Sequence, residues 1–180
     1  MPVRCAWVKG DMMTRYHDEE WGKPEHDDRK LAEMLVLEGF QAGLSWAVVL
    51  SKRENFRKAF CGFDPVQIAA FDERDVERLM ADPGIVRNRR KIEGTIQNMR
   101  VFLDIQKEFG SFDRYLWGFA PDAPIIGGTE YLCSSPLSDA VSKDMVKRGM
   151  RFVGSVTIYS YLQSIGIVND HDPLCFCKYR

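Results

Sequence analysis

The sequence has no apolar run long enough to cross a membrane, and its first residues show neither the basic start nor the apolar stretch of a leader. Membrane-spanning architectures are set aside and a cytoplasmic location is expected. Net charge is also missing. At −1 the chain offers a polyanion no global attraction, so any nucleic-acid affinity must come from a local basic patch. Cysteines number five, an odd count without framework spacing, which excludes a disulfide-stapled scaffold and fits a reducing compartment. Repeats and low-complexity tracts are absent too, which excludes a solenoid. What remains is 180 residues, enough for one domain, or one domain with a small lobe. Such a chain buries roughly 70% of its unfolded surface.

The periodicity that is present is helical almost throughout. Leu31, Met34 and Leu35 recur at helical spacing and predict a helix from about Asp28 toward Phe40. Ser45 is a suitable N-cap for a stretch running to about Phe60. Asp64-Pro65 opens a short helix, and Asp72 caps the next, which ends near Met80. After an Asp82-Pro83-Gly84 turn, Ile92, Ile96, Met99 and Leu103 share one stripe of a long helix that stops at Gly110. Further helices are expected over 111–117, 138–148 and roughly 152–164, with a loop at 120–136, where Pro, Gly, Ser and Thr are frequent. The expected fold class is all-α, a single domain over residues 1–180.

Metal-ligating types stand at both ends. Cys5 and His17 pair with His171 and Cys175 into a Cys₂His₂ set. Thiolate together with neutral imidazole suits tetrahedral Zn²⁺, and four protein donors leave no position for water, so the site would be structural and would tie the termini together. The usual C-x₂-C signature is missing, and four unrelated side chains near the ends is the competing reading. Cys177, beside Cys175, could compete as a ligand, whereas Cys61 and Cys133 read as core or surface thiols.

Glu38 follows Leu31, Met34 and Leu35 on the same helical face. A carboxylate there is costly unless paired, so it is either a core-edge partner of an arginine or a group lining a pocket. Trp7, Tyr16, Trp21 and Trp46 are close to it in sequence, and Gln41-Ala42-Gly43-Leu44-Ser45 joins it to Trp46. Aromatics at helical spacing are often plain core, but beside an acid they suit a flat, electron-poor ring. The segment 83–91 between two helices combines Gly84 with Arg87, Arg89, Arg90 and Lys91. Free backbone N–H groups and basic side chains at a helix start suit a DNA phosphate, and a solvated basic helix start is the alternative.

Several strings resemble the 3-methyladenine DNA glycosylase I family. They are Cys5-Ala6-Trp7, Tyr16-His17-Asp18-Glu19-Glu20-Trp21-Gly22, Glu38-Gly39-Phe40-Gln41-Ala42-Gly43-Leu44-Ser45-Trp46, Lys52-Arg53-Glu54-Asn55-Phe56, Phe152-Val153-Gly154 and Val168-Asn169-Asp170-His171. The resemblance runs from about residue 4 to 175 and implies a helix-hairpin-helix glycosylase fold whose hairpin at 83–91 grips the DNA backbone. It maps zinc ligands onto Cys5, His17, His171 and Cys175, and a base pocket onto Trp7, Tyr16, Glu38 and Trp46. It further implies that Gly43 and Leu44 enter the duplex to fill the gap left by an extruded nucleotide.

The implied substrate is double-stranded DNA with alkylated bases, chiefly 3-methyladenine, and the implied product an abasic site. A cationic methylated base leaves without prior protonation, so Glu38 would serve recognition and electrostatic stabilisation. The resemblance includes the lack of an aspartate after the hairpin; Asp104 belongs to the long helix. No lysine stands out as a Schiff-base nucleophile, Lys52 and Lys91 being read as phosphate contacts, so strand cleavage is not expected. One departure is Met12-Met13, where the family has an aromatic, which puts a thioether on one pocket wall. A non-catalytic zinc-stabilised DNA-binding module is the alternative, and it has no need for Glu38 beside tryptophans; altered base specificity is a second. A zinc hydrolase would need an open coordination position. Nothing suggests an obligate dimer seam, and a monomer is expected.

Overall fold

Helices begin where a side chain can accept from their otherwise unpaired first-turn amides. The computed structural model describes residues 2–120, 124–128 and 130–179. It contains α1 (Gly10–Glu19), α2 (Asp28–Gln41), α3 (Trp46–Ser51), α4 (Arg53–Ala59), α5 (Pro65–Ala69), α6 (Glu73–Ala81), α7 (Arg89–Phe109), α8 (Phe112–Trp117), α9 (Pro136–Lys147) and α10 (Ser155–Ser164). Asp27, Ser45, Asp64, Asp72, Asn88, Ser111 and Ser135 cap α2, α3, α5, α6, α7, α8 and α9 in that order. Asp72 with Asp75, and Ser135 with Ser138, close reciprocal capping boxes.

The departures from expectation have local causes. The stretch 45–60 is two helices, because Lys52 at φ −97, ψ 0 leaves helical geometry between them. Helix α1 carries no start signal in the sequence: it has no side-chain cap and begins at Gly10, φ 75. Helix α10 begins at Ser155 rather than 152, since Phe152 sits at φ 57 and Gly154 is the N-cap. The 120–136 stretch is not wholly loop. Ile125–Ile126 (β1) pairs in parallel with Val168–Asn169 (β2), Ile125 opposite Val168, so the fold is mostly helical rather than purely so. Residues 121–123 and 129 of that stretch lie outside the described residues.

Helix α2 runs through the middle of the molecule, touching α3, α7, α8 and α10. Its buried face includes Leu31, Leu35 and Phe40, with Phe40 edge-on to Phe56 of α4 at 4.8 Å. Phe102 of α7 stacks on Phe112 of α8 at 3.9 Å. Gly94 lets Phe152 approach α7, since a Cβ there would meet the ring at 2.9 Å. Glu33 fastens α2 to α4 by accepting from Arg53 Nε and Arg57 Nη2, both at 2.7 Å. Burial pushes its pKa up, but the arginines outweigh that and hold it below the ordinary value. The arginine pairing that could have claimed Glu38 therefore goes to Glu33, five residues earlier on α2.

Candidate active site

Glu38, five residues further along α2, opens on a cavity of about 320 Å³. Trp7 from the N-terminal segment, Tyr16 from α1 and Trp46 from the start of α3 line the same cavity, with Met13 and Trp21 beside them. The four side chains expected to form a base pocket are thus gathered in one place. Tyr16 lies at 5.2 Å from Trp46, and Trp7 meets Trp21 edge-on at 5.0 Å. Of the two methionines, Met13 faces the cavity, whereas Met12 is exposed and lines a separate groove.

Glu38 is 4% exposed and has no hydrogen bond or ion pair among the described residues. Burial raises its pKa to about 8, so the carboxyl is mostly protonated at pH 7. Tyr16 is pushed well above the ordinary phenol by burial and then by Glu38, and stays a hydroxyl donor. Trp46 Nε1 is buried without an acceptor among the described residues. An aromatic slot carrying an unpaired carboxyl and an unpaired N–H is built to complete its hydrogen bonds with a ligand.

Residues without a role in the sequence-based site also reach the cavity: Gln41, Tyr131, Leu132, Ser160, Gln163 and Asp170. Asp170 is fixed by Tyr159 Oη at 2.6 Å and Gln163 Nε2 at 2.8 Å. Its place beside His171 was the available signal. Asp104 is exposed, pairs with Lys107 at 3.0 Å and does not line the cavity.

Behind the cavity, donor atoms of His17, His171, Cys175 and Cys177 all lie within 4.8 Å of one another and all four residues are buried. His17 Nε2 is 3.3 Å from Cys175 Sγ. The outer ring nitrogens are oriented, His17 Nδ1 by Asp18 and His171 Nδ1 by Asn169, each at 2.8 Å. His171 Nε2 is buried without a partner among the described residues, the mark of a position that a cation completes. Gly22 makes room for this ring, since a Cβ there would lie 2.6 Å from His171 Cε1. The cluster can hold a metal ion. Cys5, expected as a ligand, is buried alongside but accepts the Asp172 amide at 3.2 Å, and Cys177 stands in the tight group instead.

The segment between α6 and α7 separates its basic residues. Gly84 donates to Asp82 at 2.7 Å and packs on Asn55, which a Cβ would meet at 3.1 Å. Arg87 and Arg90 are exposed and form no ion pair among the described residues. Arg89 is engaged by Glu73 and Glu77. Lys91 and Lys52, read from the sequence as phosphate contacts, turn to the protein instead. Lys91 Nζ donates to Phe40 O at 2.8 Å and to Ala42 O, and Lys52 Nζ to Pro83 O at 3.3 Å. Gly43, at φ 80, and the 37%-exposed Leu44 form a protruding turn held by Leu44 N donating to Gln41 O at 2.7 Å.

Residues 7–178 match the model of a family described as methyladenine glycosylase. The chain is 48% identical to DNA-3-methyladenine glycosylase 1 of Escherichia coli, over 97% of this chain and 96% of that one. It is 43% identical to a DNA-3-methyladenine glycosylase of Haemophilus influenzae, covering 99% of both. A solved structure of 3-methyladenine DNA glycosylase I from Staphylococcus aureus, described as giving the structural basis of 3-methyladenine recognition, superposes with a TM-score of 0.93 at 33% identity. That match covers 98% of this chain and 97% of the other.

Proposed function

This chain belongs to the methyladenine glycosylase family, and we propose that it excises alkylated bases, chiefly 3-methyladenine, from double-stranded DNA. The supporting observation is Glu38: a buried carboxyl with no partner among the described residues, facing a cavity walled by Trp7, Tyr16 and Trp46. The nucleotide would have to leave the stack to reach it, with Leu44 filling the gap and the α6–α7 segment holding the backbone as a helix-hairpin-helix.

The pocket's selectivity follows from its electrostatics. N3-methylated adenine in DNA is a cation. Brought against Glu38, it lowers the pKa of the carboxyl and draws out its carboxylate form. A neutral adenine offers no such return for desolvating the group. The indoles of Trp7 and Trp46 supply stacking and cation–π attraction, and the Tyr16 hydroxyl and Trp46 N–H supply donors at the edge.

In the reaction the C1′–N9 bond breaks, its electron pair neutralises the departing base, and the sugar passes through an oxocarbenium-like state. Water adds to C1′ and loses a proton to solvent, leaving a hydroxyl on an abasic sugar and free 3-methyladenine. No acid need protonate the leaving group, and Glu38 acts by binding and by its charge. No covalent enzyme intermediate is involved.

Zn²⁺ is the ion that suits the two imidazoles and the thiols of the cluster, and His17, His171 and Cys175 would hold it, with either Cys177 or Cys5 as the remaining donor. Its contribution would be structural, fastening the C-terminal segment to α1.

Separating the bases freed from methylated duplex by the natural chain and by Glu38→Ala tests the proposal. Release of 3-methyladenine that drops about 100-fold or more in the variant is expected. A folded natural chain that frees no methylated base removes the reading in favour of a DNA-binding module.

A further inference from the structure

We infer that Lys91 is a positioning residue, locking the turn that carries Leu44 to the segment that holds the DNA backbone. The inference rests on the glycosylase reading above. Lys91 is the third residue of α7, just past the 82–88 connection, yet it is 8% exposed. Its ammonium donates to Phe40 O at 2.8 Å and to Ala42 O. These carbonyls belong to the end of α2, where the last turn has no amides to accept from and carries the negative end of the helix dipole. A cation here completes the helix end.

The place of that helix end in the chain gives the contact its meaning. Glu38 stands two residues before Phe40, and the exposed Gly43-Leu44 tip begins immediately after Ala42. The clamp thus sits where the pocket-bearing helix hands over to the tip. A second strap runs the other way: Lys52, between α3 and α4, donates to Pro83 O at 3.3 Å, and Gly84 lies on Asn55 of α4. The backbone-holding segment is therefore bound on both sides of the 42–45 turn. A phosphate seated at the exposed Arg87 would then set where Leu44 meets the base stack. Burial lowers the pKa of Lys91, and the two carbonyl oxygens are what favour its charged form in place of water.

A plain helix cap and a positioning strap differ in what they disturb. Lys91→Met keeps the apolar stem and removes both donors. Free 3-methyladenine binding, followed by quenching of tryptophan emission, reports on the pocket. Single-turnover base release from methylated duplex, and the emission of 2-aminopurine beside an abasic analogue, report on entry of the tip. Unchanged free-base affinity is expected, with base release slowed about ten-fold or more and a smaller 2-aminopurine rise, because small misplacements are costly in catalysis. Lys91→Arg, which restores the charge and donors, should recover part of the loss. Normal release by Lys91→Met overturns the inference. So does a parallel loss of free-base affinity, which would make the lysine a general support of the fold. If Lys91→Met melts below the assay temperature, Lys91→Gln, which keeps one donor group, is read by the same measurements. Failure of the natural chain to release base is visible separately and removes the glycosylase reading instead.

Discussion

Replacing Glu38 by glutamine should make the protein more stable as pH rises, relative to the natural chain. In the folded state burial moves the Glu38 pKa from the ordinary 4.5 to about 8. The folded protein therefore binds this proton more tightly than the unfolded chain. Stability from the neutral carboxyl is fully present below the unfolded pKa and is lost as pH climbs through the folded one. A displacement of that size is worth about 5 kcal/mol in total, of which about 3 kcal/mol is gone by pH 7. Glutamine keeps the shape and does not titrate. The amide has its own hydrogen-bonding demands, which shift its stability by a constant amount at every pH.

The quantity to measure is therefore a slope. Urea unfolding of both proteins, followed by tryptophan emission at intervals from pH 4 to pH 9, gives the stability difference, in which the other titrating groups cancel. The difference should be flat near pH 4, rise by about 1.4 kcal/mol per pH unit in the middle of the range, and level above pH 8. A difference independent of pH would refute the reasoning, because Glu38 would then be ionised in the folded protein and supported by something that offsets its burial.

The same group should shape catalysis: kcat/KM for release of 3-methyladenine is expected to rise with pH toward about 8 and then level, while Glu38→Gln gives a lower and flat profile across the same buffers. Elemental analysis should find one Zn²⁺ per chain, with His171→Ala losing the ion and melting several degrees lower; retention of metal by that variant would remove His171 from the ligand set. Comparing Cys5→Ala with Cys177→Ala by metal content identifies the remaining thiolate. Borohydride treatment during turnover should trap no enzyme–DNA adduct, since Lys91 is held by backbone carbonyls and the described residues lining the cavity include no lysine; a trapped adduct would reveal a covalent step.

The helical frame was legible because most of its punctuation is local. Asp64, Asp72 and Ser45 announce helix starts through contacts two or three residues away, and each caps as its chemistry suggests. Helix α1 lacked such a mark, and the break at Lys52 rests on backbone angles that no residue type there demands. The β1–β2 pairing joins segments some forty residues apart and is only two residues long, too little to leave an alternating pattern. For the site, periodicity put Glu38 on the buried face, but the outcome depended on which acid the arginines would reach. Arg53 and Arg57 meet Glu33, which lies five residues before Glu38 on a different face of α2, and only the packing of α4 against that face shows which acid the arginines reach. Basic residues were the least legible. Clustering in sequence suggested one phosphate patch, whereas helix geometry sends Lys91 inward, binds Arg89 to acids and leaves Arg87 and Arg90 outside.

The metal cluster and the cavity are parts of one construction, and the sequence adjacency of their residues explains how. Tyr16 precedes His17, Asp170 precedes His171, and Cys5 stands two residues before Trp7. In each pair one side chain faces the cluster or lies beside it, and the other lines the cavity. Trp21 spans the two, meeting His171 at 4.6 Å and Trp7 at 5.0 Å. An ion at the cluster would thus hold separate walls of the cavity at fixed spacing without contributing an atom to its surface. A chain of this size has few ways to keep distant segments rigid around an open, partly apolar slot, because the slot itself removes packing from the core. Fixing the C-terminal segment to α1 through an ion would compensate for that missing packing at the point where it is missing. The expected consequence is directional: metal loss should loosen Trp7, Tyr16 and Asp170 together, while α5, α6 and α7 on the other side of α2 keep their order.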